Sequence, residues 1–355
     1  MSSLLLTGIA ELTTVEESTG VIRDAAVVIE DGRFAWVGRA QDAPAADDAR
    51  LATLLAQRVR AAAAGGTTYL ETKTGYGLTV RDEERSAALA AEAVDEVTFL
   101  GAHLVPAGAD PEEYTELVCG PMLEAVAPHV RWIDVFCEQG AFTPAQSRRV
   151  LEAGRAAGLG LRVHGNQLGP GAGVDLAVEL GAASVDHVNH LSDEDLARLG
   201  ASGTGAGGMK VLGTETVATV LPACDLSTRA PLAPAKRLLQ AGATIAIASN
   251  CNPGTSYTSS ISFCVGTAVL QMGLSLAEAI EAATLGGARA LRADRESLAA
   301  GTRPRASGTE APIGRIAVGH RADLHVLEAP AAIHLAYRPG MPLTHAVWRA
   351  GERVA

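Results

Sequence analysis

The chain has 355 residues, 29 of them basic and 40 acidic, which leaves a formal charge of −11. That length buries a large core and admits one big domain with an appendage, or two domains. The acidic balance argues against nucleic-acid or anionic-membrane partners, both of which need basic patches. No segment approaches the roughly 18 unbroken apolar residues of a membrane span, and the opening MSSLLLTGIAELTT has no basic leader region, so a cytoplasmic globular protein is expected.

In chain order, residues 4–14 and 24–38 read as strands, the second holding an Asp31–Gly32 hairpin turn between alternating apolar residues. Residues 321–328 and 344–354 mirror them at the other end. Between Thr67 and Asn250 strand and helix alternate. Strands are predicted at 67–77, 96–106, 131–140, 160–169, 183–190, 216–224 and 244–250, with amphipathic helices between them. One helix opens on Thr143, Pro144 and Gln146 and another on Ser275 and Glu278, each the pattern of a capping box. Such alternation means a parallel sheet with right-handed crossovers, and seven strands suggest a barrel lacking one member. Stretches 199–215 and 296–312, rich in Gly, Ser, Thr and Ala, read as mobile surface loops. The five cysteines, at 119, 137, 224, 251 and 264, lack CxxC spacing and read as buried thiols.

The stretch around which the chain is organised is TIAIASNCNPGTSYTSS, 244–260. Its uncharged β-branched run reads as a strand buried on both faces, and its polar cluster falls at the carboxyl end, where α/β folds place their ligands. The other strand ends carry a list that composition alone would not produce: Glu71, Lys73 and Tyr76; His103; Glu138; His164, Asn166 and Gln167; Asp186, His187 and His190; Asn250 and Asn252. In a parallel barrel these ends converge on one mouth, so four histidines from three strands would face one cavity. Imidazole is the commonest ligand of zinc and iron, and the cluster points to a metal site.

Long ordered motifs then add up to a family. ETKTGYGL (71–78), FLGAHLVP (99–106), WIDVFCEQGAF (132–142), LRVHGNQLGPG (161–171), VDHVNHL (185–191), LSTRAP (226–231), SNCNPGTSYTSS (249–260) and GRIAVGHRADLHVLEAP (314–330) resemble the imidazolonepropionase family of metal-dependent amidohydrolases over nearly the whole chain. The resemblance implies a (β/α)8 TIM-like barrel, residues 48–311, with a small composite β-sandwich from residues 1–47 and 312–355. It implies one zinc or iron ion whose bound water opens 4-imidazolone-5-propanoate to N-formimidoyl-L-glutamate in histidine degradation. By it His164 and Asn250 stand at metal-ligand positions and His187 beside the metal; His187 and Gln167 take catalytic places. Tyr76, His103 and Gln167 match substrate contacts, while Asn252, Gly254 and Thr255 match the turn that holds the propionate arm. The partner would be a small-molecule substrate, not nucleic acid or membrane, with a homodimer left open.

Two departures accompany this resemblance. The family's first barrel strand carries a His-x-His pair followed by a substrate-binding arginine, whereas here GRAQDAPAADDARL (38–51) leads straight into the helix before the second strand, and no HxH occurs. The family's final ligand, an aspartate, is Asn250. An amide oxygen carries no charge and cannot take a proton from bound water as a carboxylate does. These departures open a second reading, an inactive member that binds ligand or a partner; a third is an amidohydrolase acting on another cyclic amide.

Overall fold

The structure is a computed structural model that describes residues 3–15, 20–30, 33–39, 48–205, 208–211, 213–295 and 311–355. It divides into two compact units, Met1–Leu51 and Ala52–Ala355. In the first, strands β1 (Ser3–Thr13), β2 (Val21–Glu30) and β3 (Arg33–Arg39) form an antiparallel sheet, with Ala25, Ala26, Val27 and Val28 buried on the middle strand. The register pairs Glu30 with Arg33, so the strands flank a two-residue connection; the expected Asp31–Gly32 turn itself lies outside the described residues.

The second unit is built on seven parallel strands: β4 (Glu71–Lys73), β5 (Glu96–Ala102), β6 (Trp132–Cys137), β7 (Gly160–Gly165), β8 (Ser184–His187), β9 (Val217–Val220) and β10 (Ile245–Ile247). They pair in sequence order, and β4 and β10 are the outer strands among the described residues. This is the seven-membered parallel sheet the alternation predicts, a curled part of a TIM-like barrel. All seven fall inside the predicted ranges, and each is shorter than its range. Two shortenings have visible causes. Pro222 opens the helix Pro222–Thr228, so the strand expected to run to 224 stops at Val220. His187 and Val188 both adopt positive φ, ending β8 three residues early.

Alternation along these strands sorts chemistry to two faces. One carries Val97, Phe99, Ile133, Val135, Leu161, Val163 and Val185, all buried, in a core with helix residues such as Met122, Leu151, Leu199 and Leu238. The other carries Glu71 and Lys73, Glu96 and Thr98, Asp134, Arg162 and His164, Ser184 and Asp186. Both predicted capping boxes are present, Thr143 with Gln146 and Ser275 with Glu278. A third, Ser192 with Asp195, went unpredicted.

The C-terminal strands β11 (Leu324–Leu327), β12 (Thr344–Arg349) and β13 (Glu352–Arg353) form their own antiparallel sheet. Arg321 and Arg349 both reach Asp95 Oδ1, at 3.2 and 2.8 Å, and so tie this segment to the start of β5. In the stretch expected to be loop at 199–215, the helix Asp193–Ala201 ends and Thr204 forms an antiparallel bridge with Lys210. Residues 296–310 lie outside the described residues. Of the cysteines, 137, 224 and 264 are buried as expected, Cys119 is half-buried, and Cys251 is exposed, because it sits on the turn after β10 and not within the strand. Among the described residues no helix is long and apolar enough to cross a membrane.

Candidate active site

Five consecutive strand ends bring a row of rings together. Tyr76 stands edge-on to His103 at 5.3 Å between centroids, His103 lies 5.9 Å from Phe136, Phe136 lies 6.2 Å from His164, and His164 lies 5.3 Å from His187. His164 and His187 are 7% and 2% exposed, and the Nδ1 of each has no hydrogen-bond partner among the described residues. Buried polar atoms in native proteins almost always find partners, so two adjacent orphans mark a place for a ligand. Burial, reinforced by His164, pushes the His187 pKa down to about 3. Its ring is therefore neutral at physiological pH, the form that ligates metals. Burial, again with His164, lowers His103 as well.

The backbone under this row is shaped for it. Gly75 sits at φ +115°, and a Cβ there would fall 2.5 Å from the Leu100 carbonyl oxygen, so only glycine lets the loop turn so close to β5. The buried Glu83 carboxylate then accepts from the backbone N–H of Gly75 (2.9 Å) and Gly77 (2.6 Å), fixing the loop that presents the exposed Tyr76. Gln167 is positioned through its backbone N–H, which donates to Glu138 Oε1 at 2.6 Å. Burial raises the Glu138 pKa. Asn166, His187, Val188 and Asn250 all hold positive φ, a concentration of strained backbone at the strand ends that is typical of functional sites.

Asn252, Gly254 and Thr255 are grouped separately, in a turn after β10. Asn252 Oδ1 accepts from the N–H groups of Gly254 (2.9 Å) and Thr255 (2.8 Å), and its Nδ2 donates to the Asn250 carbonyl oxygen (2.8 Å). The Asn252 side chain is thus committed to holding the turn, while Gly254 and Thr255 face solvent. A cavity of about 350 Å3 lined by Ala64, Ser260, Phe263, Leu335 and Arg338 shares no lining residue with either group.

Below the rings lies a charged centre that the sequence reading left without a role. Asp134, His164 and Asp186 offer ligand atoms within 4.8 Å of one another, a group that could hold a metal ion. Lys73 Nζ, however, is 2.7 Å from Asp134 Oδ2, 3.2 Å from Asp186 Oδ2 and 3.3 Å from Glu71 Oε1. His164 Nδ1 is 3.0 Å from the same Asp134 oxygen but off the line of its ring N–H. Arg162 completes the centre, donating to Glu71 Oε2 (3.1 Å) and the Ala290 carbonyl oxygen (2.8 Å) with its guanidinium over the Trp132 ring. Burial alone would lower the Lys73 pKa, but Asp134, then Glu71 and Asp186, carry it above the ordinary lysine value. Burial opposes ionisation of Asp134, and His164 and Lys73 more than reverse that, so the carboxylate stays charged. Asp134 and Glu83 were missed from sequence. A lone acid in the apolar strand WIDVFC was the available signal for Asp134, while Glu83 looked like an ordinary helix-surface acid.

A zinc or iron ion is therefore matched by one part of this site and not by another. The unpartnered imidazoles of His164 and His187 fit it; the two carboxylates already hold an ammonium.

Comparison with known proteins agrees with this architecture. The amidohydrolase family profile matches residues 36–352. Imidazolonepropionase from Paenarthrobacter aurescens strain TC1 is 54% identical, covering 99% of this chain and 98% of that one; the Micrococcus luteus enzyme is 55% identical over 99% and 100%. The first alignment runs over 410 positions against 355 residues here, so at least 55 of its positions have no counterpart in this chain. Among solved structures, E. coli guanine deaminase superposes with a TM-score of 0.61 at 15% identity, over 100% of this chain and 99% of that one. A Xanthomonas campestris adenosine deaminase with bound zinc gives 0.60 at 16%, over 94% and 88%. These show a shared fold. The chain belongs to the imidazolonepropionase family of amidohydrolases.

Proposed function

We propose that this chain is an imidazolonepropionase-type hydrolase, opening 4-imidazolone-5-propanoate to N-formimidoyl-L-glutamate in the cytoplasm as a step of histidine degradation. The observation that carries the reading is the adjacent pair of buried, unpartnered imidazole nitrogens on His164 and His187, set among the family's motifs. Relatives above 50% identity named for this reaction favour the imidazolone ring over another cyclic amide.

His164 and Asn250 would hold the ion, with His187 beside it. Bound there, zinc or iron would lower the pKa of a water molecule and polarise the attacked carbonyl. The chain's own residues do the rest. Tyr76 and His103 line one side of the ring's place, Gln167, whose backbone N–H Glu138 holds, contacts the ring, and the Asn252 turn offers Gly254 and Thr255 to the propionate arm. With no HxH pair and with a neutral amide at Asn250, the ion would be held weakly, since catalytic zinc ordinarily has about three protein ligands.

Those same departures favour a second reading, a member that binds the ligand without turning it over. Product formation followed by NMR, with and without added zinc or iron, separates the two. Ring opening that needs added metal and disappears in His164→Ala supports the hydrolase. No turnover, together with a melting temperature raised by the product, supports the binding member. Sedimentation of the same sample tests for a homodimer.

A further inference from the structure

The Lys73 centre carries an inference that goes beyond the hydrolase reading and does not depend on turnover. We infer that Lys73 is the resident cation of the Asp134–His164–Asp186 pocket, and that removing its charge turns this pocket into a divalent-metal site.

The pocket is built around one positive charge. Asp134 Oδ1 accepts the Val135 N–H at 2.7 Å, and Asp186 Oδ1 accepts the Ser184 hydroxyl at 2.9 Å. Each carboxylate has one oxygen tied, which leaves both Oδ2 atoms turned to the same Lys73 Nζ, at 2.7 and 3.2 Å. Outer hydrogen bonds of this kind are what orient the ligands of a metal site. The Nδ1 of His164, itself more than nine-tenths buried and without a hydrogen-bond partner among the described residues, lies at the edge of the group, 3.0 Å from Asp134 Oδ2.

Carboxylate oxygens and imidazole nitrogens are donors that zinc accepts, and carboxylates suit manganese. The same oxygens cannot serve an ion about 2.0–2.2 Å away and an ammonium at hydrogen-bond distance without setting two cations against each other in a low-dielectric interior. Loss of Lys73 does not strand every acid nearby, because Glu71 keeps Arg162 at 3.1 Å. What it leaves is the excess negative charge of Asp134 and Asp186, which a divalent ion matches.

The test is calorimetric titration of the full chain with Mn2+ alone and Zn2+ alone. Lys73→Gln is expected to bind one ion at least tenfold more tightly than the parent and to melt higher in its presence, and adding Asp186→Asn is expected to abolish the gain. An unchanged affinity in Lys73→Gln, or a gain that survives Asp186→Asn, overturns the inference. Should Lys73→Gln not fold even with metal, Asp134→Asn in the Lys73 background decides. A parent that binds no ion, or binds one that Asp134→Asn leaves in place, supports exclusion by Lys73; an ion lost with Asp134→Asn overturns it. Failure of the hydrolase reading shows up separately, as absence of product.

Discussion

Two groups of side chains share the ends of the same strands and differ in how completely they are satisfied. Around Lys73 every charge has its counterpart: Asp134, Asp186 and Glu71 meet the ammonium, and Glu71 also meets Arg162. One layer above, His164 and His187 bury ring nitrogens that bond to nothing described. A satisfied polar network rigidifies a fold, whereas orphaned buried atoms beside it point to a ligand. The contrast separates scaffold from site within a few ångströms, and each member can be removed on its own.

The largest effect is expected from the satisfied side. Asp134→Ala strips a buried partner from Lys73 and should cost about 3–5 kcal/mol in urea unfolding, the range for breaking a buried charge pair; His164→Ala should cost clearly less. A similar cost for the two would erase the distinction. Next comes Gly75→Ala, where φ +115° and the Leu100 carbonyl at 2.5 Å leave no room for a methyl group. Backbone strain of this kind costs about 1–3 kcal/mol, and the displaced Tyr76 should also remove the product-induced rise in melting temperature.

A third test uses pH. His187 titrates at about 3 when folded because it is buried, against about 6.5 unfolded. Between those values the unfolded chain binds the extra proton, so stability falls as pH drops through this window, by about 1.4 kcal/mol per unit. Unfolding curves of His187→Asn should lack that slope; an unchanged slope would place the effect elsewhere. The smallest change in stability is expected for Asn252→Ala, on an exposed turn, at about 1 kcal/mol or less. Its signature should lie in ligand response, since Gly254 and Thr255 lose the oxygen that sets their N–H groups.

The parallel sheet was legible in the sequence because strand and helix periods alternate cleanly from Thr67 to Asn250, and a barrel lacking one member agrees with β4 and β10 standing as the outer strands among the described residues. Helix starts at Thr143 and Ser275 were legible because capping chemistry is local. The row of His103, His164 and His187 was legible from position at strand ends, while His190, expected to join them, has no place among these ring contacts. The Lys73 centre was not, although Lys73 and Asp186 were both noted at strand ends. Ion pairing across 61 and 113 residues of chain depends on which strands become neighbours and which face each residue takes. Asp134 looked like an interruption in an apolar strand until β6 was seen between β5 and β7. The backbone clamp of Glu83 on Gly75 and Gly77 was equally silent, since a helix acid becomes a loop anchor only once the loop has folded over it.

The most direct measurement is the zinc and iron content of the intact 355-residue chain, by mass spectrometry after equilibration with either metal, beside His164→Ala. A bound ion is expected in the parent and is expected to be lost with His164; a parent that stays empty at saturating metal, or keeps its ion without His164, rules out His164 as the centre of a metal site.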